Sequence, residues 1–183
     1  TVWQQQFTVI NTKNKVVGTI ESSMEKYEVP YQKPFYGMHV KTETVSSYWF
    51  FSGNTKTEEN EYYDDKFTPL VFEFKSESAL GIVEVHGKLY PDKTEVVVST
   101  KPVIKKYNIT RKSGSTEKKV SLLVPSNSCT FGNLRLIMQK RGVRVNKTYT
   151  LQLLDKYNIK YKKISVTVTK KFKIADKTFY VIS

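Results

Sequence analysis

The stretch KYKKISVTVTKKFKI, residues 160–174, alternates apolar and polar side chains with a period of two. Its apolar residues, from Ile164 to Ile174, fall on one face, while lysine, serine and threonine fall on the other. Lys170 is the one polar residue within the apolar row. This pattern is typical of a β-strand with one face in water and one face against a dry interior.

The same alternation recurs along most of the chain. It predicts strands over residues 2–10, 15–28, 38–51, 55–64, 69–76, 80–90, 94–100, 117–124, 147–154 and 178–182. Turn residues are predicted between strands at 52–54, 64–66, 91–93, 113–115, 155–158 and 175–177. Because such short connections join antiparallel neighbours, we expect a mostly β fold built on an antiparallel meander.

One segment has helical rather than alternating periodicity. Either Ser126 or Asn127 is a good N-cap, and Gly142 is a stop signal at the other end. The apolar residues at helical spacing are Phe131, Leu134 and Met138. We expect one helix that covers the concave face of the sheet and buries Phe131 and Leu134 there.

Length and cysteine content limit the architecture. The 183 residues fall within the usual range for one domain, so residues 1–183 are predicted to form a single β-rich domain. Cys129 is the only cysteine, which excludes an intrachain disulfide. No run approaches the ~18 apolar residues of a membrane-spanning helix. The chain starts at Thr1 without Met or a basic-then-apolar leader, which favours a mature or partial chain whose upstream signal would not be visible in this sequence.

Charge is distributed unevenly along the sequence. Residues 1–100 contain 10 basic and 14 acidic side chains, whereas residues 101–183 contain 20 basic and 3 acidic ones. Only four of the basic residues are arginine. Since bidentate readout of bases and phosphates draws on arginine, this composition favours diffuse attraction to anions over sequence-specific recognition.

The sequence contains no recognisable catalytic centre. Its two histidines, His39 and His86, alternate with charged residues and are predicted to lie on wet strand faces. Cys129 has no partner motif around it and is interpreted as a buried structural residue. We therefore expect a protein that is not an enzyme, and the alternative is an enzyme of unknown type that uses Cys129 or His86.

Metal and cofactor motifs are also missing from the sequence. The acidic cluster between Glu58 and Asp65 does not have the spacing of a calcium loop and is interpreted as a solvated hairpin. Neither a glycine-rich phosphate loop nor paired zinc ligands occur. We expect no cofactor and no metal.

Two clusters of lysine and tyrosine in the second half of the chain are candidate anion-binding sites. One contains Lys105 and Lys106, and the other contains Lys160, Lys162 and Lys163. These charges could attract an anionic polymer or a membrane surface. Nucleic acid is a weaker candidate, since tyrosines are common on strands and arginines are few.

The order of several short segments resembles a known group of bacterial domains. These segments are Val17 to Ile20, Tyr62 to Leu70, Phe72 to Ser76, Gly81 to Leu89, the helix before Gly142, Val145 to Thr150, and Asp176 to Val181. They are similar to the β-rich domain ahead of the catalytic domain in bacterial exported transglutaminase-like proteins, and to the LolA-like half-barrels of periplasmic proteins and lipoproteins. The resemblance implies a half-barrel, which is a curved antiparallel meander sheet with one helix on its concave face. It also implies an extracytoplasmic location, an origin as part of a larger exported protein, and an accessory or apolar-ligand-binding role.

Two functional hypotheses follow from the sequence. The first is a non-catalytic extracytoplasmic accessory domain that cradles an apolar or lipid group, or docks onto an adjacent domain, with Phe131, Leu134 and Met138 as the candidate groove. The second is a basic surface protein that binds an anionic polymer, nucleic acid or membrane headgroups through its C-terminal half.

Overall fold

A computed structural model describes residues 1–48, 51–102, 115–174 and 177–183. The predicted mostly β fold, an antiparallel meander with one short helix, is confirmed. The chain divides into two compact units, Thr1–Ser121 and Leu122–Ser183. The elements are β1 Trp3–Ile10, β2 Val16–Tyr27, β3 Phe35–Tyr48, β4 Phe51–Tyr63, β5 Pro69–Ser78, β6 Gly81–Leu89, β7 Lys93–Pro102, β8 Thr116–Leu123, β9 Ser128–Cys129, α1 Phe131–Lys140, β10 Thr148–Asp155, β11 Lys160–Ile174 and β12 Lys177–Ile182.

The first unit is built on an eight-stranded sheet in which every strand lies beside its neighbours in sequence. The order runs from β1 to β8, and the sheet does not close into a barrel. Each described pair from β1 to β7 is antiparallel. Short connections produce this order, because a tight turn can only return the chain antiparallel to the preceding strand.

One face of this sheet is apolar. Opposite residues on paired strands share a face, and the register aligns Met24 with Met38, then Glu61, then Phe72. Met24, Met38 and Phe72 are all buried. We call this side of the sheet the apolar face. Burial of its large side chains is the main source of stability that this unit has.

Phe72 depends on a glycine beside it. Gly87 lies directly opposite Phe72 on β6, and a Cβ atom added there would collide with the phenyl ring. Both residues are buried. A side chain at position 87 would therefore displace the ring, which is why glycine interrupts an otherwise ordinary strand.

The opposite side of the sheet, which we call the polar face, carries charges in alternating order. The register places Glu21, Lys41, Glu58, Lys75 and Glu84 in one row across five strands. The Nζ of Lys41 lies 3.7 Å from Glu58 Oε1. Opposite charges on adjacent strands stabilise a sheet and disfavour a shifted register.

The second unit contains a four-stranded sheet and the helix. Its strand order is β12-β11-β10-β9, and β9 runs parallel to β10 while the other pairs are antiparallel. Met138 of α1 belongs to a buried cluster with Leu151, Val166 and Val168, and Leu134 packs against that cluster. The helix thus contributes to the core of the second unit.

The helix begins later than the sequence indicated. The predicted N-cap at Ser126 or Asn127 is wrong, because α1 starts at Phe131. Thr130 precedes it: the backbone N–H of Thr130 donates to Asn133 Oδ1 at 2.8 Å, and the backbone N–H of Asn133 donates to Thr130 Oγ1 at 3.4 Å. This reciprocal pair satisfies the first free N–H groups of the helix, as a capping box does. The predicted stop at Gly142 is confirmed by its φ of 72°.

A register shift between Val168 and Lys170 changes which face of β11 each later residue occupies. Val168 lies opposite Ile182, but Lys170 lies opposite Val181, so one residue of β11 has no counterpart on β12. The expectation that Phe172 continues the row of Val168 is wrong, because this bulge transfers every later residue to the other face. It also explains why a lysine at position 170 interrupts the apolar row.

The predicted turns are only partly observed. The turns at 64–66 and 155–158 are present, and the turn at 91–93 is closed by the backbone N–H of Tyr90 donating to the carbonyl of Lys93 at 2.8 Å. The turn predicted at 52–54 is wrong, because those residues lie within β4. Residues 113–114 and 175–176, in the other two predicted turns, lie outside the described residues.

Candidate functional site

The position of β11 is fixed by the core of the second unit. Leu151 pairs with Ile164 and Tyr149 pairs with Val166, which directs the apolar side chains of both strands into the same cluster. The Tyr149 hydroxyl donates to the carbonyl of Gly142 at 2.7 Å and accepts from the backbone N–H of Arg144 at 3.1 Å. These contacts connect the segment after the helix to the sheet that carries β11.

Six lysines project from β11 into solvent, and we call this set the lysine strand. All six are exposed, and none of them forms an ion pair within the described residues. Lys162 and Lys163 lie opposite Leu153 and Gln152, neither of which can neutralise them. The members are Lys160, Lys162, Lys163, Lys170, Lys171 and Lys173.

Lys160 has an acidic neighbour at the start of the strand. It lies opposite Asp155, and the positive charge of Lys160 is one of the smaller influences that lower the pKa of that carboxyl. Burial acts to raise the pKa of Asp155, but hydrogen bonds from Asn158 and from the backbone N–H groups of Asn158 and Tyr157 outweigh it. The hydrogen bonds that the Asp155 carboxylate accepts therefore stabilise the β10–β11 turn.

Both sides of β11 carry positive charge. Before the bulge, Lys162 shares the side of Val166, while Lys163 lies on the other side. After the bulge, Lys170 lies opposite Val181 and Lys171 opposite Tyr180. Positive charges therefore lie on both sides of the strand, and the partly exposed rings of Phe172 and Tyr180 lie among them.

The charge of the second unit as a whole agrees with this local picture. Residues 122–183 contain 13 basic and 2 acidic side chains, whereas residues 1–121 contain 17 basic and 15 acidic ones. The second unit carries a net charge of +11 and the first +2. A dense field of one sign attracts counter-ions and polyanions.

A second group of polar side chains crosses the polar face of the first unit. His39 Nε2 lies 3.0 Å from the Tyr27 hydroxyl, and its Nδ1 lies 2.8 Å from Asn60 Oδ1. The amide of Asn60 reaches Glu73 at 3.5 Å, and Glu73 lies 3.7 Å from His86 Nδ1. We call this chain the histidine row. It contains both histidines of the protein, on the wet face that the sequence predicted.

The histidine row is a chain of polar side chains, most of them hydrogen-bonded, that connects neighbouring strands. The Tyr27 hydroxyl also donates to Glu25 at 3.0 Å; burial, followed by this bond, raises the pKa of Tyr27. Neither a serine nor a cysteine nucleophile belongs to the row. Among the described residues, no group of three or more His, Cys, Asp or Glu side chains could hold a metal ion.

A groove of about 650 Å³ lies beside one end of the histidine row, within the first unit. Glu73 and His86 line it together with Lys88, Glu95 and Lys119. Its charged side chains are of both signs, so it is not suited to a strongly charged ligand of either sign.

Glu61 is a buried carboxyl group, contrary to the prediction that its acidic cluster is solvated. The cluster between Glu58 and Asp65 was expected to be solvated, but Glu61 is only 1% exposed. It lies on the apolar face, where it accepts a hydrogen bond from the hydroxyl of buried Tyr63. The signal was present in the sequence, because Glu61 shares the alternation phase of Tyr63 rather than that of Glu58.

The residues predicted to form an apolar groove do not stay together. Met138 is buried and Leu134 packs beside it, but Phe131 is 68% exposed, so its predicted burial is wrong. Phe131 is the first residue of α1, where the helix has not yet turned toward its core. Cys129 is buried in the same apolar cluster, as predicted.

The anion-binding prediction is divided between two parts of the chain. Lys105 and Lys106 lie outside the described residues. Lys160, Lys162 and Lys163 are brought together on one strand, and the structure adds Lys170, Lys171 and Lys173 to them. Sequence spacing did show these further lysines, but the bulge decides which side of β11 each of them occupies.

Comparison with protein-family models, curated proteins and solved structures finds no match to this chain. The resemblance to transglutaminase-associated and LolA-like domains therefore stays a prediction. In the described part of the chain, no helix is long and apolar enough to cross a membrane.

Proposed function

We propose that this chain is a non-catalytic binding protein that holds an anionic polymer along β11. The observation that carries the proposal is the lysine strand, in which six exposed lysines lie within one element and have no ion-pair partner in the described residues. A polyanion binds such a surface because it displaces the small counter-ions that otherwise accompany the lysines.

The geometry of a strand suits an extended ligand. Successive residues advance by about 3.3 Å, so Lys160 and Lys162 lie about 7 Å apart, as do Lys171 and Lys173, and the 15 residues of β11 extend over roughly 50 Å. A linear polymer with a charge on each repeating unit can contact several lysines at once. Lysine heads are mobile point charges, which favours tolerance toward the exact spacing of the anions.

An apolar ligand receives less support than a polyanion. Leu134 and Met138, two of the three candidate groove residues, already pack in the core of the second unit. Docking onto an adjacent domain and an extracytoplasmic location stay proposals that rest on the family resemblance.

The decisive experiment is retention on immobilised heparin across a salt gradient. Replacing Lys160, Lys162 and Lys163 together by glutamate should lower the affinity by about 100-fold at physiological ionic strength, because polyanion binding depends steeply on the number of neutralised charges. The wild-type protein should elute at high salt, and the logarithm of its affinity should fall linearly with the logarithm of salt concentration.

A charge-matched variant separates a defined surface from a general effect of net charge. Lys13, Lys15 and Lys118 are exposed residues of the first unit, and their joint replacement by glutamate changes the net charge equally. Retention of this control should be nearly that of wild type. Equal losses in both variants would refute the lysine strand as the site, and preferential binding to vesicles of anionic lipid over heparin would refute the polymer.

A further inference from the structure

The first strand of the eight-stranded sheet has no charged residue. β1 has the sequence WQQQFTVI, and the first charged side chain of the protein is Lys13. β1 ends the sheet order and pairs only with β2 in the described structure. In an antiparallel strand, alternate residues direct their N–H and C=O groups away from the partner, so the outer side of β1 presents a row of backbone donors and acceptors.

The other edge of the same sheet is protected. β8 has the sequence TEKKVSLL, with exposed Glu117, Lys118 and Lys119. Charged residues on an edge strand, lysine above all, prevent pairing with a further strand. The two edges of this sheet therefore differ. Charged residues oppose the pairing of β8 with a further strand, whereas β1 carries no charge that would oppose it.

Apolar side chains are also uncovered at the β1 edge. Phe7 and Ile10 are both more than half exposed, and so is Val16, which lies opposite Ile10 on β2. An unpaired backbone edge flanked by exposed apolar side chains favours the addition of a strand.

We propose that β1 pairs antiparallel with β1 of a second copy of this chain, joining two eight-stranded sheets about a two-fold axis. Such an interface is isologous, so β1 must be complementary to itself. A register centred on Gln6 meets this requirement and keeps like faces together. It places Trp3 opposite Val9, Gln4 opposite Thr8, Gln5 opposite Phe7, and Gln6 opposite Gln6 of the second copy.

The composition of β1 makes it better suited to pair with β1 of a second copy than β8 is to pair with another β8. No antiparallel register of β1 with β1 can bring like charges together, since the strand has none. Trp3 and Val9 are aromatic and β-branched side chains, a pair that stabilises adjacent strands, and the glutamines can exchange amide hydrogen bonds.

The net charge of the protein gives the dimer a recognisable salt dependence. Each copy carries +13, so two copies repel each other over long distances. Added salt screens this repulsion while leaving backbone hydrogen bonds nearly unaffected. Dimerisation should therefore strengthen as salt rises, whereas the proposed polyanion binding weakens. The two proposals can fail independently.

Sedimentation velocity over a concentration series tests the dimer. Wild type should pass from monomer to dimer, and Gln6→Lys should raise the dimer dissociation constant by about tenfold or more, because two lysines then meet at the axis. In the monomer, Gln6 Nε2 donates to Glu21 Oε1 at 3.2 Å. A lysine there retains an acidic cross-strand partner, so the fold is preserved. The control is Ser121→Lys, which adds the same charge to exposed β8 and should leave the dissociation constant unchanged.

A cysteine cross-link checks the register without depending on repulsion. Directly opposite residues on antiparallel strands have Cα atoms about 4.5–5.5 Å apart, which permits a disulfide. Gln6→Cys should form a covalent dimer under mild oxidation, whereas Ser121→Cys should not. The native Cys129 is buried and is not expected to compete. A wild-type protein that remains monomeric at all concentrations and salt levels, or equal cross-linking of both variants, would overturn the proposal.

Discussion

Lysines on strands have different roles in the two units of this protein. On the polar face of the first unit, Lys41 lies between Glu21 and Glu58 on adjacent strands, so acidic residues flank its charge within the sheet. On β11 of the second unit, Lys163 lies opposite Gln152 and forms no ion pair in the described structure. The same residue type thus fixes register in one sheet and is left available for a partner in the other.

The difference shows why total charge is a poor guide to function. The first unit contains more basic residues than the second, yet its net charge is only +2 because it also contains 15 acidic residues. Cross-strand placement, rather than the number of lysines, decides whether a strand can attract an anion.

The largest expected effect concerns the apolar core that supports the lysine strand. Since the β11 lysines gain no ion pairs within the described residues, strand pairing and apolar packing stabilise this sheet. Leu151 on β10 lies opposite Ile164 of β11 and is fully buried, and Leu151→Ala should reduce the free energy of unfolding by about 3 kcal/mol through lost burial and a residual cavity.

Urea unfolding followed by circular dichroism measures that loss. Leu123 is 85% exposed, so the identical substitution Leu123→Ala is a matched control and should change stability by less than about 0.5 kcal/mol. Similar losses in both variants would mean that the core of the second unit is not tightly packed.

An intermediate effect compares the two lysine environments directly. Lys41→Glu places three carboxylates in adjacent positions across β2, β3 and β4, and should destabilise the protein by about 1 kcal/mol at low salt. Lys163→Glu removes a charge that has no internal partner, and it should leave stability nearly unchanged. Thermal unfolding at low and high salt measures the stabilities of the Lys41→Glu and Lys163→Glu variants and compares them.

Partial restoration of opposite charges in this row is the control for this comparison. Adding Glu21→Lys to Lys41→Glu leaves one pair of like charges on adjacent strands instead of two, and should recover part of the lost stability. If Lys163→Glu were as costly as Lys41→Glu, the lysine strand would have a structural role that contradicts its proposed availability.

The smallest effect concerns an aspartate that holds a turn in each unit. Burial acts to raise the pKa of Asp64, but the backbone N–H groups of Thr68 and Lys66, at 2.7 and 2.8 Å from its Oδ1, lower it overall. The pKa of Asp155 is lowered by its own turn hydrogen bonds. A depressed pKa in the folded state gives stability that is present above the unfolded pKa of about 4 and is lost as pH falls through the folded value.

Replacing either aspartate by alanine should thus destabilise the protein by about 0.5 kcal/mol at neutral pH. The difference from wild type should shrink below about pH 4, where the wild-type carboxylates become protonated. Urea unfolding at both pH values measures this change. Asp92, an exposed residue of the β6–β7 turn, provides the control, and a pH-independent loss at Asp64 would contradict the charged hydrogen bonds as its cause.

Alternation along the sequence was sufficient to place the strands. The prediction for 160–174 has the same bounds as β11, and most other strands differ from their predicted bounds by only a few residues. Alternation is a local property that each strand expresses by itself, since one face must be dry wherever a sheet covers a core.

The errors arose where strand pairing or strand phase outweighed the preference of the residue type. Thr130 caps the helix instead of Asn127, after Ser128–Cys129 pairs with β10 as a short strand. Glu61 is buried because its strand phase places it on the apolar face between Met38 and Phe72. In both cases the partner across the sheet, rather than the residue type, decided the outcome.

The sequence by itself determined that this chain forms antiparallel strands and that unbalanced positive charge collects in its second half. Only the tertiary structure decided that the strands separate into two sheets, that the bulge after Val168 reverses the faces of β11, and that β1 forms an uncharged edge. The physical reason is that strand formation depends on neighbours along the chain, whereas register, sheet membership and edge position depend on which strands pair.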